Sequence, residues 1–254
     1  MELRKKTALV TGASRGIGRA IAIAFASEGA RLWLGARDLR ALEALSEEIQ
    51  AGGGAATAVA LDVTDQTSVD ACKRAVGAVD ILVNNAGIAG SVKLVKMDDA
   101  HWDSHLDVNL TGPFRVTRAF LPEMIEQQWG RIINIASTAG KVGFQYTAAY
   151  CASKHGLVGL TRALALETAT QGITVNAICP GFVATGMAAE AARNIASKTK
   201  KSEAEARRWL ESLSPQRRMI EPEEVAALAV LLASDDARGI NGQAINVDGG
   251  AVVY

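Results

Sequence analysis

Thr7-Ala8-Leu9-Val10-Thr11-Gly12-Ala13-Ser14-Arg15-Gly16-Ile17-Gly18 is the stretch on which the fold turns. Thr7 to Thr11 has the length and apolar, β-branched character of a buried strand, and Gly16 to Glu28 carries a helical pattern. The intervening glycines let the backbone turn sharply and approach a ligand closely. The helix that follows points free amides from its N-terminus at an anion such as a pyrophosphate. Gly12, Ser14, Arg15, Gly16, Ile17 and Gly18 are therefore candidate phosphate-binding residues. A structural turn would use the same glycines; the strand before them and the helix after them favour a dinucleotide loop.

Outward from this loop the same alternation continues. Strands are predicted over Arg31–Ala36, Ala55–Leu61, Ile81–Val83, Arg131–Ile135, Thr174–Ile178 and Ala244–Val247. Helices fit Leu39–Gln50, Asp99–Gln127, Ala148–Thr170 and Pro222–Ser234. Strands that are apolar throughout and separated by crossover helices imply a parallel sheet covered on both faces, an α/β fold. The 254 residues suit one such domain, residues 1–254, with no repeat, linker or low-complexity tract. The Ala-rich, charged segment 187–214 interrupts the alternation, at a place suited to a helical lid over a ligand crevice.

Charge and cysteine usage narrow the classes. Lys plus Arg and Asp plus Glu are 27 each, so no global field recruits nucleic acid or an anionic membrane. No run reaches the roughly 18 apolar residues of a membrane span, and the charged start Met1 to Lys6 leads into an apolar stretch too short for a signal peptide. Cys72, Cys151 and Cys179 form no metal-like or disulfide pattern, which fits a reducing, cytoplasmic compartment. Cys151 is expected as a small buried thiol. His101, His105 and His155 bring no ligand cluster, so no metal is expected.

The end of the second strand bears on cofactor choice. A site for NAD usually carries an acid there to hold the ribose hydroxyls. This chain has Gly35-Ala36-Arg37, and an arginine fork suits a 2′-phosphate. NADP(H) is the expectation, with Arg37, and Arg15 from the loop, near that phosphate. Asp38 is the expected N-cap of the next helix.

Further on come Asn84-Asn85-Ala86-Gly87, Asn109, Ser137 and Tyr150-x-x-x-Lys154, in that order. With them the chain resembles the classical short-chain dehydrogenase/reductase family, from Thr7 to about Gly250. The resemblance implies a Rossmann fold: a doubly wound, seven-stranded parallel sheet of order 3-2-1-4-5-6-7. It also implies a hydride transfer between a nicotinamide and a ketone/alcohol pair. Tyr150 and Lys154 stand four apart and share a helix face. A nearby ammonium is expected to lower the tyrosine pKa, so that Tyr150 exchanges a proton with the substrate oxygen. By the resemblance Ser137 hydrogen-bonds that oxygen, Lys154 also binds the nicotinamide ribose, and Asn109 supports a water relay to the lysine. It likewise implies adenine contacts from Asp62 and Val63 and adenosine-side contacts from Asn85, Ala86 and Gly87. Pro180, Gly181, Val183 and Thr185 match the loop at the nicotinamide ribose and carboxamide. Asn176 and Asp248-Gly249-Gly250 match structural positions. Compared with a typical member, Asp62 to Asp80 is about four residues short, roughly one helical turn.

Ile135 to Gly143, Tyr150 to Gly156 and Ile178 to Thr185 resemble polyketide ketoreductases and β-ketoacyl reductases. The implied substrate is a small carbonyl or alcohol, with a 3-oxoacyl thioester on coenzyme A or a carrier favoured. A catabolic dehydrogenase of a hydroxy acid, cyclic alcohol, sugar or steroid is the alternative, and a non-catalytic cofactor-sensing scaffold a third. Phe144, Thr147, Phe182 and Met187 are candidate pocket walls or plain core. Arg193, Lys198, Lys200, Lys201, Arg207 and Arg208 face only Glu203 and Glu205 in the lid, either docking a phosphorylated carrier or forming a solvated face. The family resemblance implies a homotetramer or homodimer built on the helices bearing Asn109 and Tyr150.

Overall fold

The computed structural model describes residues 3–253. The chain runs β1 (Thr7–Thr11), α1 (Gly16–Ser27), β2 (Arg31–Ala36), α2 (Leu39–Ala51), β3 (Ala55–Ala60), α3 (Gln66–Val76) and β4 (Ile81–Asn84). It continues through α4 (Asp99–Leu106), α5 (Gly112–Gln127), β5 (Gly130–Ile135), α6 (Ala148–Glu167) and β6 (Ile173–Pro180). It closes with α7 (Gly186–Lys198), α8 (Glu203–Ser212), α9 (Pro222–Ala233) and β7 (Ala244–Val247). These strands form one sheet, β3-β2-β1-β4-β5-β6-β7, and every neighbouring pair is parallel. The expected order is the observed one.

The pleat of β1 shows why its strand reads apolar without interruption. Ala8 and Val10 pack with Ile21 and Phe25 of α1, while Leu9 between them packs with Phe120 of α5 on the other face. After β1 the chain builds outward to β2 and β3; with β4 it returns to the other side of β1. The reversal opens a crevice at the carboxyl ends of β1 and β4, the place where open α/β sheets hold ligands.

Four elements depart from expectation in extent or continuity. Asp99–Gln127 is not one helix: a π turn over Asp107–Thr111 separates α4 from α5. The residue four beyond Asn109 is Pro113, which has no N–H to give the Asn109 carbonyl an α-helical bond. The helix bearing Tyr150 stops at Glu167, short of the expected Thr170, and is followed by a short 3-10 turn over Ala169–Gln171. Strand β6 runs on to Pro180, longer than expected, because β7 pairs with its final residues from Ala177 to Pro180. The segment 187–214 is helical as expected, but as two helices: α8 starts afresh at a capping box made by Ser202 and Glu205.

Candidate active site

The glycine loop leaves β1 through Gly12 (φ +65°) and enters α1 beside Gly16 (φ +56°), a conformation that side chains rarely adopt. A hydroxyl and an amide behind the loop set its shape. Thr11 Oγ1 accepts from the backbone amides of Asn85 and Ala86, both at 3.0 Å. Asn85 Nδ2 donates to the carbonyls of Thr11 (2.9 Å) and Gly12 (3.1 Å). A Cβ on Gly12 would lie 2.9 Å from Asn85 Nδ2, and one on Gly18 would collide with the same amide. The side-chain amide of Asn85, expected near adenosine, is thus committed inside the protein, clamping the loop. The supporting roles of Thr11 and of Gly35, whose carbonyl accepts from Gly12 N at 2.7 Å, have no local signal in the sequence, because nothing nearby marks their partners. At the mouth of the loop, α1 begins after Arg15 with no side-chain cap. Its first amides are free to receive an anion, so the loop fits a pyrophosphate.

Arg37 lies exposed just past β2, and Asp38 beside it caps α2 through Ala41 N at 3.2 Å, as expected. No acid occupies the strand end. Asp62 is held below the usual carboxylate range by Thr64, whose hydroxyl (2.7 Å) and backbone amide (2.9 Å) donate to Oδ1, with a further contribution from the Arg37 charge. Val63 is buried against Gly112 at the start of α5. Of the Asp62–Val63 pair, then, one carboxylate oxygen closes a turn and the valine side chain faces the core.

Beyond β5 and at the start of α6, Ser137, Tyr150 and Lys154 converge. Ser137 is the neighbour whose side chain favours the Tyr150 phenolate, its Oγ accepts from Ala139 N at 3.1 Å, and its backbone amide lies on the side of the buried Cys179 thiol at the end of β6. Lys154 is buried; its Nζ donates to the Ile135 carbonyl at 2.8 Å and lies 5.9 Å from the centre of the Tyr150 ring. Burial lowers the Lys154 pKa to about 8. Burial also pushes the Tyr150 phenol up, partly offset by the neighbouring Ser137, contrary to the expected lowering. The physical reason is that withdrawal of the phenolate from water outweighs what the neighbouring Ser137 returns.

Asn109 sits in the π turn, fully buried. Its Oδ1 accepts from Ile88 N (2.9 Å), and its Nδ2 donates to Ile88 O (2.9 Å) and to Ser153 Oγ (3.1 Å). Ser153 in turn donates to the Tyr150 carbonyl at 2.8 Å. The side chain expected to support a relay is a brace between the loop after β4 and the helix bearing Tyr150. Gly87 fits between: a Cβ there would stand 3.2 Å from Asn109 Oδ1 and 3.7 Å from Lys154 Nζ. Ser153 was not singled out in the sequence, where a small polar residue next to Lys154 carries no signal of its own.

The loop after β6 closes the crevice. Gly181 donates to the Val247 carbonyl at 3.0 Å and lies against Asp248, Val183 is buried, and Thr185 Cγ2 would be 3.1 Å from a Cβ on Gly16. Thr185 thus lies on the glycine loop, while Gly181 is fixed to the end of β7. Asn176 and Asp248 are structural: Asn176 bridges Ile240 and Gln243, and the Asp248 carboxylate accepts from the amides of Gly250 (2.9 Å) and Val252 (2.8 Å). Among the pocket-wall candidates, Phe144 and Met187 are exposed at the mouth. Phe182 packs with Leu210 in the apolar cluster of α7 and α8, and Thr147 hydrogen-bonds the Phe144 carbonyl. No group of His, Cys, Asp and Glu among the described residues could hold a metal, and none of their helices is long and apolar enough to cross a membrane.

Residues 6–196 match the model of the short chain dehydrogenase family. A putative ketoacyl reductase of the granaticin polyketide synthase from Streptomyces violaceoruber is 44% identical over 256 residues, covering 98% of this chain and 94% of that one. A variant of the actinorhodin polyketide ketoreductase crystallised with NADPH superposes with a TM-score of 0.93 at 41% identity, covering 98% of each chain. A putative NAD(P)-dependent gluconate 5-dehydrogenase from Beutenbergia cavernae with bound NADP gives a TM-score of 0.91 at 38% identity, again covering 98% of each.

Proposed function

The chain belongs to the short chain dehydrogenase family, and from that premise we propose that it is an NADP(H)-dependent ketoreductase whose substrate is a 3-oxoacyl thioester or a related ketone. The observation that carries this reading is the convergence of Ser137 and Tyr150 with a buried Lys154 at the carboxyl end of the sheet. The uncapped start of α1 takes the pyrophosphate, and Arg37 the 2′-phosphate. Asp62, Val63, Ala86 and Gly87 flank the adenosine, while Pro180, Gly181, Val183 and Thr185 hold the nicotinamide end. When bound, the cofactor supplies the hydride.

The remaining chemistry belongs to the protein. Ser137 Oγ donates to the substrate carbonyl and orients it beside the Tyr150 hydroxyl. Tyr150, kept protonated by burial, is the acid that delivers a proton to the carbonyl oxygen as charge develops there. Lys154, positively charged below about pH 8, stabilises the phenolate left behind. Asn109, through Ile88 and Ser153, keeps these groups in register.

A second reading, a dehydrogenase of a sugar acid, is favoured by the likeness to the gluconate dehydrogenase structure. Following cofactor absorbance at 340 nm with NADPH and NADH, against acetoacetyl-CoA, a cyclic ketone and 5-ketogluconate, separates the two. NADPH turnover favouring the thioester is expected. Turnover of 5-ketogluconate alone would replace the thioester with the sugar acid. Tyr150→Phe should bind NADPH yet lose turnover, which rules against a cofactor-sensing scaffold. We place the enzyme in the cytoplasm, as a homotetramer or homodimer on α5 and α6; a monomer mass by light scattering would refute the assembly.

A further inference from the structure

Ser137 orients the substrate in the reading above, yet little local structure holds it in place. It opens a single 3-10 turn, Thr138–Gly140, three residues long. Gly140 N donates to the Ser137 carbonyl at 2.8 Å, and Lys141 N to the Thr138 carbonyl at 2.9 Å. A turn this short has poor hydrogen-bond geometry and no cooperativity to sustain it. One side of it lies against α6, where a Cβ on Gly140 would stand 2.7 Å from the Lys154 carbonyl oxygen. The turn is seated on the helix that carries Tyr150 and Lys154, and something beyond the turn itself keeps it there.

Lys141, which directly follows the turn, reaches across to β7. Its Nζ donates to Ala244 O at 3.2 Å and to Asn246 Oδ1 at 3.0 Å, both more than a hundred residues further along the chain. No carboxylate is within salt-bridge range of Lys141 among the described residues. A surface lysine ordinarily leaves its head in water. This one is half-buried and commits its head to two oxygens of one strand. Ordering so flexible a side chain costs entropy, which the charge-assisted bonds offset. The acceptor is itself held: Asn246 Nδ2 donates to the Val252 carbonyl, which leaves Oδ1 as the atom turned to Lys141. The Val252 amide is in turn fixed by the Asp248 carboxylate at 2.8 Å. β7 is the last strand of the sheet and pairs only with β6, so the lysine ties the sheet edge to the turn.

We propose that Lys141 is a positioning residue for the reaction. Through the Ala244 carbonyl and the Asn246 amide it clamps the Ser137 turn between β7 and α6, and so fixes where Ser137 Oγ meets the substrate carbonyl. Lys141 acts through Ser137 alone and makes no contact with substrate or cofactor. The assignment rests on the ketoreductase reading above, in which Ser137 orients that carbonyl.

The test is a double-mutant cycle on NADPH turnover with acetoacetyl-CoA or, should the thioester not be reduced, the cyclic ketone. Lys141→Met keeps the stem and removes the donor. It should lower kcat about tenfold while the NADPH dissociation constant, read by fluorescence titration, stays within about twofold. Lys141→Arg retains donors at the end of the stem and should recover most of that loss. In a Ser137→Ala background, Lys141→Met should lower kcat by less than about twofold more, because the group it positions is gone. Asn246→Leu loosens the clamp from β7 and should repeat the pattern, whether or not Lys141→Met folds. Equal kcat losses in the two backgrounds, wild-type kcat in Lys141→Met, or a parallel loss of NADPH binding would overturn the positioning role and leave the ketoreductase reading intact. Wild-type kcat in Ser137→Ala alone would overturn the role given to Ser137 and the clamp with it.

Discussion

The two ends of the sheet spend their polar groups in opposite ways. At the amino ends of the strands, Arg131 is buried yet satisfied: it donates to the carbonyls of Gly130 (2.9 Å), Gly172 (3.2 Å) and Ser234 (3.4 Å) and to Asp235 (2.9 Å). Trp129 lies beside it between two cations, with Lys6 Nζ 3.3 Å and the Arg131 guanidinium 4.3 Å from its ring. Asp80 accepts from Thr7 N at 2.7 Å and joins β1 to the start of β4. At the carboxyl ends, Lys154 is equally buried but has a single carbonyl partner, and the amides opening α1 have no cap. One end is closed by its own partners. The other is left incomplete, and incomplete polar groups are where a ligand finds interactions.

That contrast is open to attack by mutation. Lys154→Met should have the largest effect, a loss in kcat of about 10²- to 10⁴-fold. Because it removes a buried ammonium, the unliganded protein should become more stable by about 1–3 kcal/mol; a drop in melting temperature would break the comparison. Arg131→Met should do the reverse, lowering stability by about 2–3 kcal/mol through three abandoned carbonyls while kcat stays within about twofold. Chemical denaturation and steady-state kinetics on both variants check the pair. Arg37→Ala should then cost about 10- to 100-fold in the NADPH/NADH preference, read as the ratio of kcat/KM values. The smallest effect is a pH slope. Lys154 loses its proton at about pH 8 in the folded chain and near 10.5 once unfolded. Between those values the unfolded state binds the extra proton, so unliganded stability should rise with pH across that window. Lys154→Met should remove this rise, and a slope unchanged by the substitution would assign it elsewhere.

The parts legible in the sequence are those encoded locally or by ordered motifs. Strand β1, the glycine loop and the opening of α1 follow from adjacent residues, and the relation of Tyr150 to Lys154 from helical spacing. The cap at Asp38 was equally visible, since it acts three residues away. What escaped depends on partners far along the chain. Asn85 has an amide like any other until Thr11 and Gly12, more than seventy residues earlier, arrive opposite it. The π turn follows from Pro113 meeting a helix that also had to pack Gly112 on Val63. The upward shift of the Tyr150 phenol is invisible to the sequence, because spacing on a helix says which groups share a face and nothing about how much water they lose.

Gly249 at the far end of the chain leaves no room for a side chain: a Cβ there would collide with Ser214 Oγ at the root of the lid. Ser214 in turn donates to the Asp248 carbonyl at 3.4 Å. The end of β7 and the segment after α8 therefore meet at one joint: Asp248 and Gly249 directly follow β7, Ser214 lies two residues past α8, and a side chain added at Gly249 would have to push that segment aside.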